Sequence, residues 1–274
     1  MNKKTWIEET FKTKKAVIGL VHMQALPGDP YYDAEGGMDK VIKMAQEDVI
    51  ALQEGGADGL LFTNEFSLPY ISKVGYETVA AMSYVMGNLK DIIKIPYGND
   101  CINDETATIA MSSATGACFT RGVFHGSWST NGGIVEGDGG NIRRICRALD
   151  IPDFKLVYYL MPESSGDLAE RDAVTLFKST YTLDKPDAIA IAGVVAGQKP
   201  KVEDIKNCRE KYPDATIFAA TGVNKDNVDQ FLPYVDGMFI GTSFKKDGIF
   251  KNQIDKARVK EFMEKIKNIR KNYE

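Results

Sequence analysis

The chain contains two histidines, and each closes an apolar run: His22 follows Ala16-Val-Ile-Gly-Leu-Val21, and His125 follows Phe119-Thr-Arg-Gly-Val-Phe124. Imidazole exchanges protons near neutral pH, so a histidine at the end of a strand is a candidate general acid or base lining a pocket. A core histidine satisfied by its neighbours is the competing reading. Other polar residues end further runs: Asn64 and Glu65 after Gly59-Leu-Leu-Phe-Thr63, Asn99 and Asp100 after Ile92-Ile-Lys-Ile-Pro-Tyr97, and Glu163 after Lys155-Leu-Val-Tyr-Tyr-Leu160. Carboxylates on adjacent strands shift each other's pKa, which suits Glu65 and Asp100 to proton abstraction. Capping a helix or pairing with a base such as Arg121 is the structural alternative, and for Asp104, just before Glu105-Thr-Ala-Thr, capping is preferred. No cofactor is expected; a variant of this reading has a divalent metal held by His22, Glu65, Asp100 and His125.

Glycines supply a second signal. The later runs end in Ala192-Gly193 with Gly197, in Thr221-Gly222, and in Gly241-Thr242, with Lys199, Lys245 and Lys246 following. Glycine lets backbone N–H groups approach an anion, and a helix N-terminus behind the turn adds a favourable dipole. Gly193, Gly197, Thr221, Gly222, Gly241, Thr242 and Lys245 are therefore the expected contacts of a phosphate or other small anion, although turns use glycine for their own geometry. Among well-known catalytic strings, HExxH, GxSxG and GxxxxGK[ST] are missing. Lys94 and Lys155 fall at strand starts, the wrong end for a Schiff-base lysine. The four cysteines form no CxxC pair and read as reduced thiols.

Those residues need elements to hold them. Eight short apolar runs recur, the remaining ones being Ala117-Cys-Phe-Thr-Arg-Gly-Val-Phe124, Ala188-Ile-Ala-Ile-Ala192, Thr216-Ile-Phe-Ala-Ala220 and Gly237-Met-Phe-Ile240. Amphipathic stretches lie between them, near 38–52, 76–89, 104–113, 141–149, 168–181, 202–211 and 226–232, with a short helix at about 5–13 and a last one at about 253–271. Strict alternation over 274 residues predicts an α/β fold, a single (β/α)8 TIM barrel spanning 1–274. A doubly wound sheet would need a glycine phosphate turn after its first strand, where this chain has His22-Met-Gln-Ala-Leu-Pro-Gly-Asp-Pro30. In a barrel, all of the strand-ending residues converge at one face. Asn131-Gly-Gly-Ile-Val-Glu-Gly-Asp-Gly-Gly140 reads as a flexible lid or a solvated turn.

Composition bounds the partners. Lys+Arg 34 against Asp+Glu 38 gives a net charge of −4 and no basic footprint for nucleic acid or anionic membrane. No apolar run approaches the ~18 residues of a membrane span, so a cytoplasmic protein with a small-molecule ligand is expected. Trp6, Phe11 and the terminal helix suggest apolar surface for a homo-oligomer.

The segments Val21-His-Met-Gln-Ala-Leu-Pro-Gly-Asp-Pro30, Asn64-Glu-Phe-Ser-Leu-Pro-Tyr70, Phe119-Thr-Arg121, Thr221-Gly-Val223 and Gly241-Thr-Ser-Phe-Lys-Lys-Asp-Gly-Ile-Phe250 together resemble the BtpA/SgcQ family, from about Lys15 to Arg270. The resemblance implies a barrel of the ribulose-phosphate-binding type. Its SgcQ branch, which the Asn64 and Lys245 strings resemble most, occurs with bacterial sugar-transport operons and implies an enzyme acting on a small phosphorylated sugar or sugar-like metabolite. Isomerase, epimerase, lyase and glycosidic hydrolase chemistry all fit. The other branch is named for photosystem I assembly and implies the alternative, a non-catalytic assembly or regulatory factor that keeps an anion site. His22, Glu65, Arg121, Gly222, Thr242 and Lys245 fit the family pattern, whereas His125, Asp100 and the alanines before Gly193 and Gly197 depart from it. The resemblance thus moves the expected proton transfer onto His22 and Glu65.

Overall fold

The computed structural model describes residues 5–195 and 197–273; residues 1–4, 196 and 274 of the expected 1–274 unit lie outside them. After the short helix α1 (Trp6–Phe11) come β1 (Ala16–His22), α2 (Gly37–Gly55), β2 (Gly59–Thr63), α3 (Tyr76–Leu89), β3 (Tyr97–Asp100), α4 (Glu105–Thr115) and β4 (Phe119–Gly122). A hairpin of β5 (Ser127–Thr130) and β6 (Gly133–Glu136) precedes α5 (Gly139–Ala148), β7 (Lys155–Tyr159), β8 (Ser165–Asp167), α6 (Ala173–Ser179) and β9 (Ala188–Ile191). The chain then forms α7 (Val202–Lys211), β10 (Ile217–Ala220), β11 (Gly237–Ile240) and α8 (Lys256–Arg270). Eight strands close into a parallel barrel in the order β1-β11-β10-β9-β7-β4-β3-β2, while β6-β5-β8 form a separate three-stranded antiparallel sheet.

Closure follows from strands that are apolar on both faces. Every residue of β1 is buried, and its register sets Ala16 beside Gly237 on one side and Ile18 beside Gly59 on the other. Gly19 is required on the outer face, because a Cβ there would lie 2.4 Å from Leu52 Cδ2 of α2. Inside, Ile18, Leu20, Leu61, Phe119, Val157, Ala190, Phe218 and Phe239 fill the lower barrel. α1 closes its amino end: Trp6 stacks on Phe218 at 6.1 Å and donates its indole N–H to the Asp187 carbonyl at 2.9 Å, while Phe11 meets Phe119 edge-on at 5.6 Å. Phe11 is buried, and the apolar side chains of α8 pack inward. Phe11 and the inner face of α8, two of the features that the sequence offered for self-association, are thus used within the fold, while Trp6 stays half-buried.

One device recurs at the amino ends of the strands. Asp58, Asp187 and Asp236 each precede a strand and accept a backbone N–H from the neighbouring strand, at Val17 (2.8 Å), Leu156 (2.9 Å) and Ile217 (2.9 Å). Each also pairs with an arginine of an outer helix: Asp58 with Arg270, Asp187 with Arg143 and Asp236 with Arg209.

Three local expectations are corrected. β3 starts at Tyr97, not Ile92. Ile92, Ile93 and Ile95 instead pack against the outer core, so Asn99 and Asp100 lie within the strand and Lys94 in an exposed turn. The helix expected at 226–232 is a single tight turn, Val228–Gln230. The Asn224 side chain takes the N–H groups of Asp226 and Asn227, and Pro233 follows directly. Of the two readings of the glycine-rich segment 131–140, the loose lid gives way to the solvated turn: exposed Asn131-Gly132 joins β5 to β6, and β5 pairs with both β6 and β8 and carries the fully buried Trp128.

The arginine staples make a stability prediction. Arg270→Ala leaves Asp58, whose side chain is only 13% exposed, without its cation and is expected to cost up to about 3–5 kcal/mol in denaturant unfolding. Arg209→Ala is expected to cost less, because the Asp236 side chain keeps 35% of its surface in water. Equal losses would contradict this account.

Candidate active site

A cavity of about 870 Å³ opens at the carboxyl ends of the barrel strands, and His22, Glu65, Arg121, Tyr159, Glu163 and the 221–222 and 241–243 turns line it. Alternation places His22: Ile18 and Leu20 face the barrel interior, so the residue two further along faces it too. Gly241 makes room for the ring, since a Cβ there would sit 3.1 Å from His22 Cε1 and Nε2. Glu65 is the second residue beyond β2, and its Oε2 accepts from the Thr63 hydroxyl at 3.2 Å. Its carbonyl accepts from the Tyr70 hydroxyl at 3.0 Å, folding the segment 64–70 back over the pocket.

Arg121 projects from β4 into the middle of the barrel. Its guanidinium lies 4.8 Å from the centre of the Tyr159 ring and 4.9 Å from that of Phe239. Asp100 of β3 approaches Nη2 at 3.5 Å. Burial opposes the charge, whereas Tyr159, Asp100, Glu163 and Glu65 favour it, and the balance keeps the arginine protonated. Burial pushes the Asp100 carboxyl up to about 7 against the pull of Arg121. Glu163 is raised by burial as well, with Arg121 and the Thr221 hydroxyl opposing. His22 is pushed down to about 4 by burial, which outweighs the neighbouring Glu65 carboxylate. At neutral pH its imidazole therefore carries one N–H and one lone pair.

The remaining sequence candidates separate into those at the pocket and those beside it. Gly197, Thr221, Gly222, Gly241 and Thr242 line it. Asp100 sits beneath it against Arg121. Asn64 does not reach the pocket: its Oδ1 accepts from the Ile102 N–H at 2.9 Å and ties two loops together. His125 is structural, its Nε2 donating to the Tyr159 carbonyl at 2.7 Å, its Nδ1 facing the Thr180 hydroxyl at 3.3 Å and its carbonyl accepting from Trp128. Gly193 and Gly222 answer to a packing demand that the anion reading did not include. A Cβ on Gly193 would lie 2.2 Å from the Gln198 carbonyl oxygen, and one on Gly222 2.2 Å from the Lys199 nitrogen. Thr221 beside it holds φ 61° and donates its hydroxyl to the Gln198 carbonyl at 3.2 Å. Lys245 is 1% exposed, its ammonium 5.1 Å from the Phe66 ring centre and 5.4 Å from that of Phe250, behind the pocket wall rather than in it. Among the described residues no group of three His, Cys, Asp or Glu side chains is arranged to hold an ion. Tyr159, Phe250 and Arg258 join the lining without having been singled out by sequence. Tyr159 was legible from its alternation with Val157; Phe250 and Arg258 depend on how the last loop folds back.

Eight parallel strands with helices outside and a polar pocket at the strand carboxyl ends define a TIM barrel. Solved structures agree in fold. The phosphoribosyl anthranilate isomerase of Thermus thermophilus superposes with a TM-score of 0.57 at 7% identity, over 93% of this chain and 99% of that one. The N-acetylneuraminate lyase of Mycoplasma synoviae gives 0.60 at 11% identity, over 96% and 77%. Within that class the chain belongs to the BtpA family, whose model matches residues 13–268. It is 40% identical to the sgc region protein SgcQ of Escherichia coli (strain K12), over 97% of this chain and all of that protein. It is 28% identical to the photosystem I biogenesis protein BtpA of Synechocystis sp., over 93% of this chain and 89% of that one. Among the described residues no helix is long and apolar enough to cross a membrane.

The depressed pKa of His22 has a measurable consequence. A group whose pKa is lower folded than unfolded binds fewer protons when folded, so stability falls as pH drops from 6.5 through 4. His22→Asn is expected to flatten this arm of the stability–pH curve by up to about 3 kcal/mol. Asp100, Asp48 and Glu105, whose raised pKa values act in the opposite sense, are common to both proteins. Parallel curves for the two proteins would refute a buried neutral imidazole.

Proposed function

We propose that the protein is an enzyme that acts by acid/base catalysis on a small phosphorylated sugar or sugar-like metabolite. The observation that carries this reading is the division of the pocket lining. His22, Glu65 and Glu163, all able to hold or give a proton, stand around the Arg121 floor, whereas the wall formed by Thr221, Gly222, Thr242 and Ser243 offers hydroxyls and backbone, with Arg258 at its edge beside Asp226 and the Lys225–Glu261 ion pair, whose two charges offset each other at 2.6 Å. Arg258 donates Nε–H to the Ser243 carbonyl at 3.0 Å, which places its charge beside the turn after β11. An anion seated there is met by a cation and by polar groups, and turns after the seventh and eighth strands are where barrels commonly hold phosphate.

The phosphate would anchor the substrate and direct its reactive carbons toward the floor. There the Glu65 carboxylate is the base and the neutral imidazole of His22 the hydrogen-bond donor, a pairing that serves isomerisation, epimerisation or carbon–carbon cleavage. The names of the two solved barrels, an isomerase of a phosphoribosyl compound and a lyase of N-acetylneuraminate, are compatible with this chemistry. The name of the Synechocystis relative supports the other reading, an assembly factor.

Thermal shift and calorimetry with sugar phosphates and their unphosphorylated counterparts test the proposal. Phosphorylated ligands are expected to stabilise the protein and the free sugars not. Thr242→Glu, which sets a carboxylate into the cradle, is expected to weaken phosphate binding at least tenfold, with Thr242→Ser close to wild type. Equal responses to sugars and sugar phosphates, or an unaffected Thr242→Glu variant, would overturn it and leave the assembly reading.

A further inference from the structure

Six buried side-chain nitrogen or oxygen atoms among the described residues have no hydrogen-bond partner, and five of them belong to this pocket: Nδ1 and Nε2 of His22, Nε and Nη1 of Arg121, and Oε1 of Glu163. Folded proteins leave few such atoms unpaired, because each costs roughly 1–3 kcal/mol. His22 is 5% exposed and Arg121 4%. Their empty valences therefore describe the ligand that would fill them.

Arg121 has only donors to offer and requires ligand oxygens as acceptors. Its guanidinium packs on the rings of Tyr159 and Phe239, 4.8 and 4.9 Å from their centres, and Asp100 holds one end, so these contacts restrict those donors before anything binds. The neutral His22 offers one donor and one acceptor, which suits a carbonyl or hydroxyl oxygen. Glu163 Oε1 suits a hydroxyl. A carbonyl with a hydroxyl on the adjacent carbon satisfies all three. Glu65, close enough to Arg121 to support its charge, is the remaining acid/base group at the floor.

Resting on the phosphate reading above, we propose that the pocket floor is an oxyanion subsite for an α-hydroxycarbonyl sugar phosphate, and that the reaction passes through the enediolate. The Glu65 carboxylate removes the proton from the carbon bearing the hydroxyl. The C–H electron pair becomes the C=C bond, the carbonyl π pair moves onto oxygen, and the new negative charge faces Arg121 and the His22 N–H. Returning the proton to the other carbon gives isomerisation, provided the proton of the adjacent hydroxyl passes to the enolate oxygen, a transfer for which the neutral His22 imidazole has one N–H to give and one lone pair to receive, so that this hydroxyl becomes the new carbonyl; a proton delivered to the opposite face of the first carbon gives epimerisation, and neither requires an oxidant or reductant. The sign of the floor charge narrows the reaction. A fixed cation stabilises a developing oxyanion and opposes the oxocarbenium-like charge of glycosidic cleavage, so hydrolysis of a glycosidic bond is disfavoured here.

The test uses matched ligands on the full chain: 2-phosphoglycolate, 4-phosphoerythronate and 5-phosphoarabinonate, each against the alditol phosphate of the same length. The planar carboxylate stands for the enediolate, and the alditol keeps the phosphate and hydroxyls without it. For at least one length the acid is expected to bind ten-fold or more tightly than the alditol in wild type. Arg121→Gln is expected to erase that preference while inorganic phosphate affinity stays within twofold. Arg121→Lys, which keeps the charge but not the fixed plane, is the companion variant should Arg121→Gln not fold, and is expected to lose most of the preference. No preference in wild type, or one that survives in the variants, overturns the subsite. Failure of the phosphate reading looks different: alditol phosphates would then bind no better than free alditols, whatever the acids do.

Discussion

A guanidinium charge held inside the barrel is the constraint around which the pocket is arranged. Moving an ion of that size out of water costs several kcal/mol even after relaxation, and among the described residues only one carboxylate, Asp100 at 3.5 Å, approaches Arg121 directly. The aromatic faces of Tyr159 and Phe239 supply part of the compensation, and the more distant Glu65 and Glu163 supply more. Small inward residues such as Ala188, Ala190 and Ala220 leave the volume in which a side chain of this length can extend. The charge in turn sets the acids around it, holding Asp100 and Glu163 below where burial alone would take them.

The two ends of the barrel treat their charges in opposite ways. At the amino end each strand-leading aspartate has both a backbone N–H and an arginine, and α1 seals the interior with aromatic rings. At the carboxyl end five buried donors and acceptors among the described residues are left without partners, against one, Nε of Arg270, at the amino end. The first arrangement contributes stability, and the second uses some of it, which is the trade expected of a site kept ready for a ligand.

Much of this was legible in sequence where side-chain direction follows from alternation. His22 could be placed because Ile18 and Leu20 precede it on one face of a strand that stays in the barrel. His125 could not, because the chain leaves the barrel after Gly122 and its direction is then set by Trp128, Tyr159 and Thr180. The closed barrel followed from eight apolar runs, but the start of β3 did not, since Ile92, Ile93 and Ile95 are equally apolar and pack under the helices instead. Glycine was the least faithful signal. Gly193 and Gly222 make room for the backbone at Gln198 and Lys199, a contact between loops that spacing along the chain does not reveal.

Lys245 shows how far the site extends beyond its lining. Sequence suggested an anion contact, yet its ammonium lies over Phe66 and Phe250, the two rings that also border His22 at 6.4 and 5.5 Å. A cation behind that aromatic layer adds to the burial that keeps His22 unprotonated, while Glu65 works against it. Asp48 of α2 faces the same lysine and accepts the Ile254 N–H at 2.8 Å, so the last loop is tied to α2 on the far side of the layer. Burial sets the protonation state of the imidazole, and Lys245, a charge it never touches, adds to that effect through the aromatic layer. That dependence explains why a residue absent from the pocket surface belongs to the machinery that tunes it.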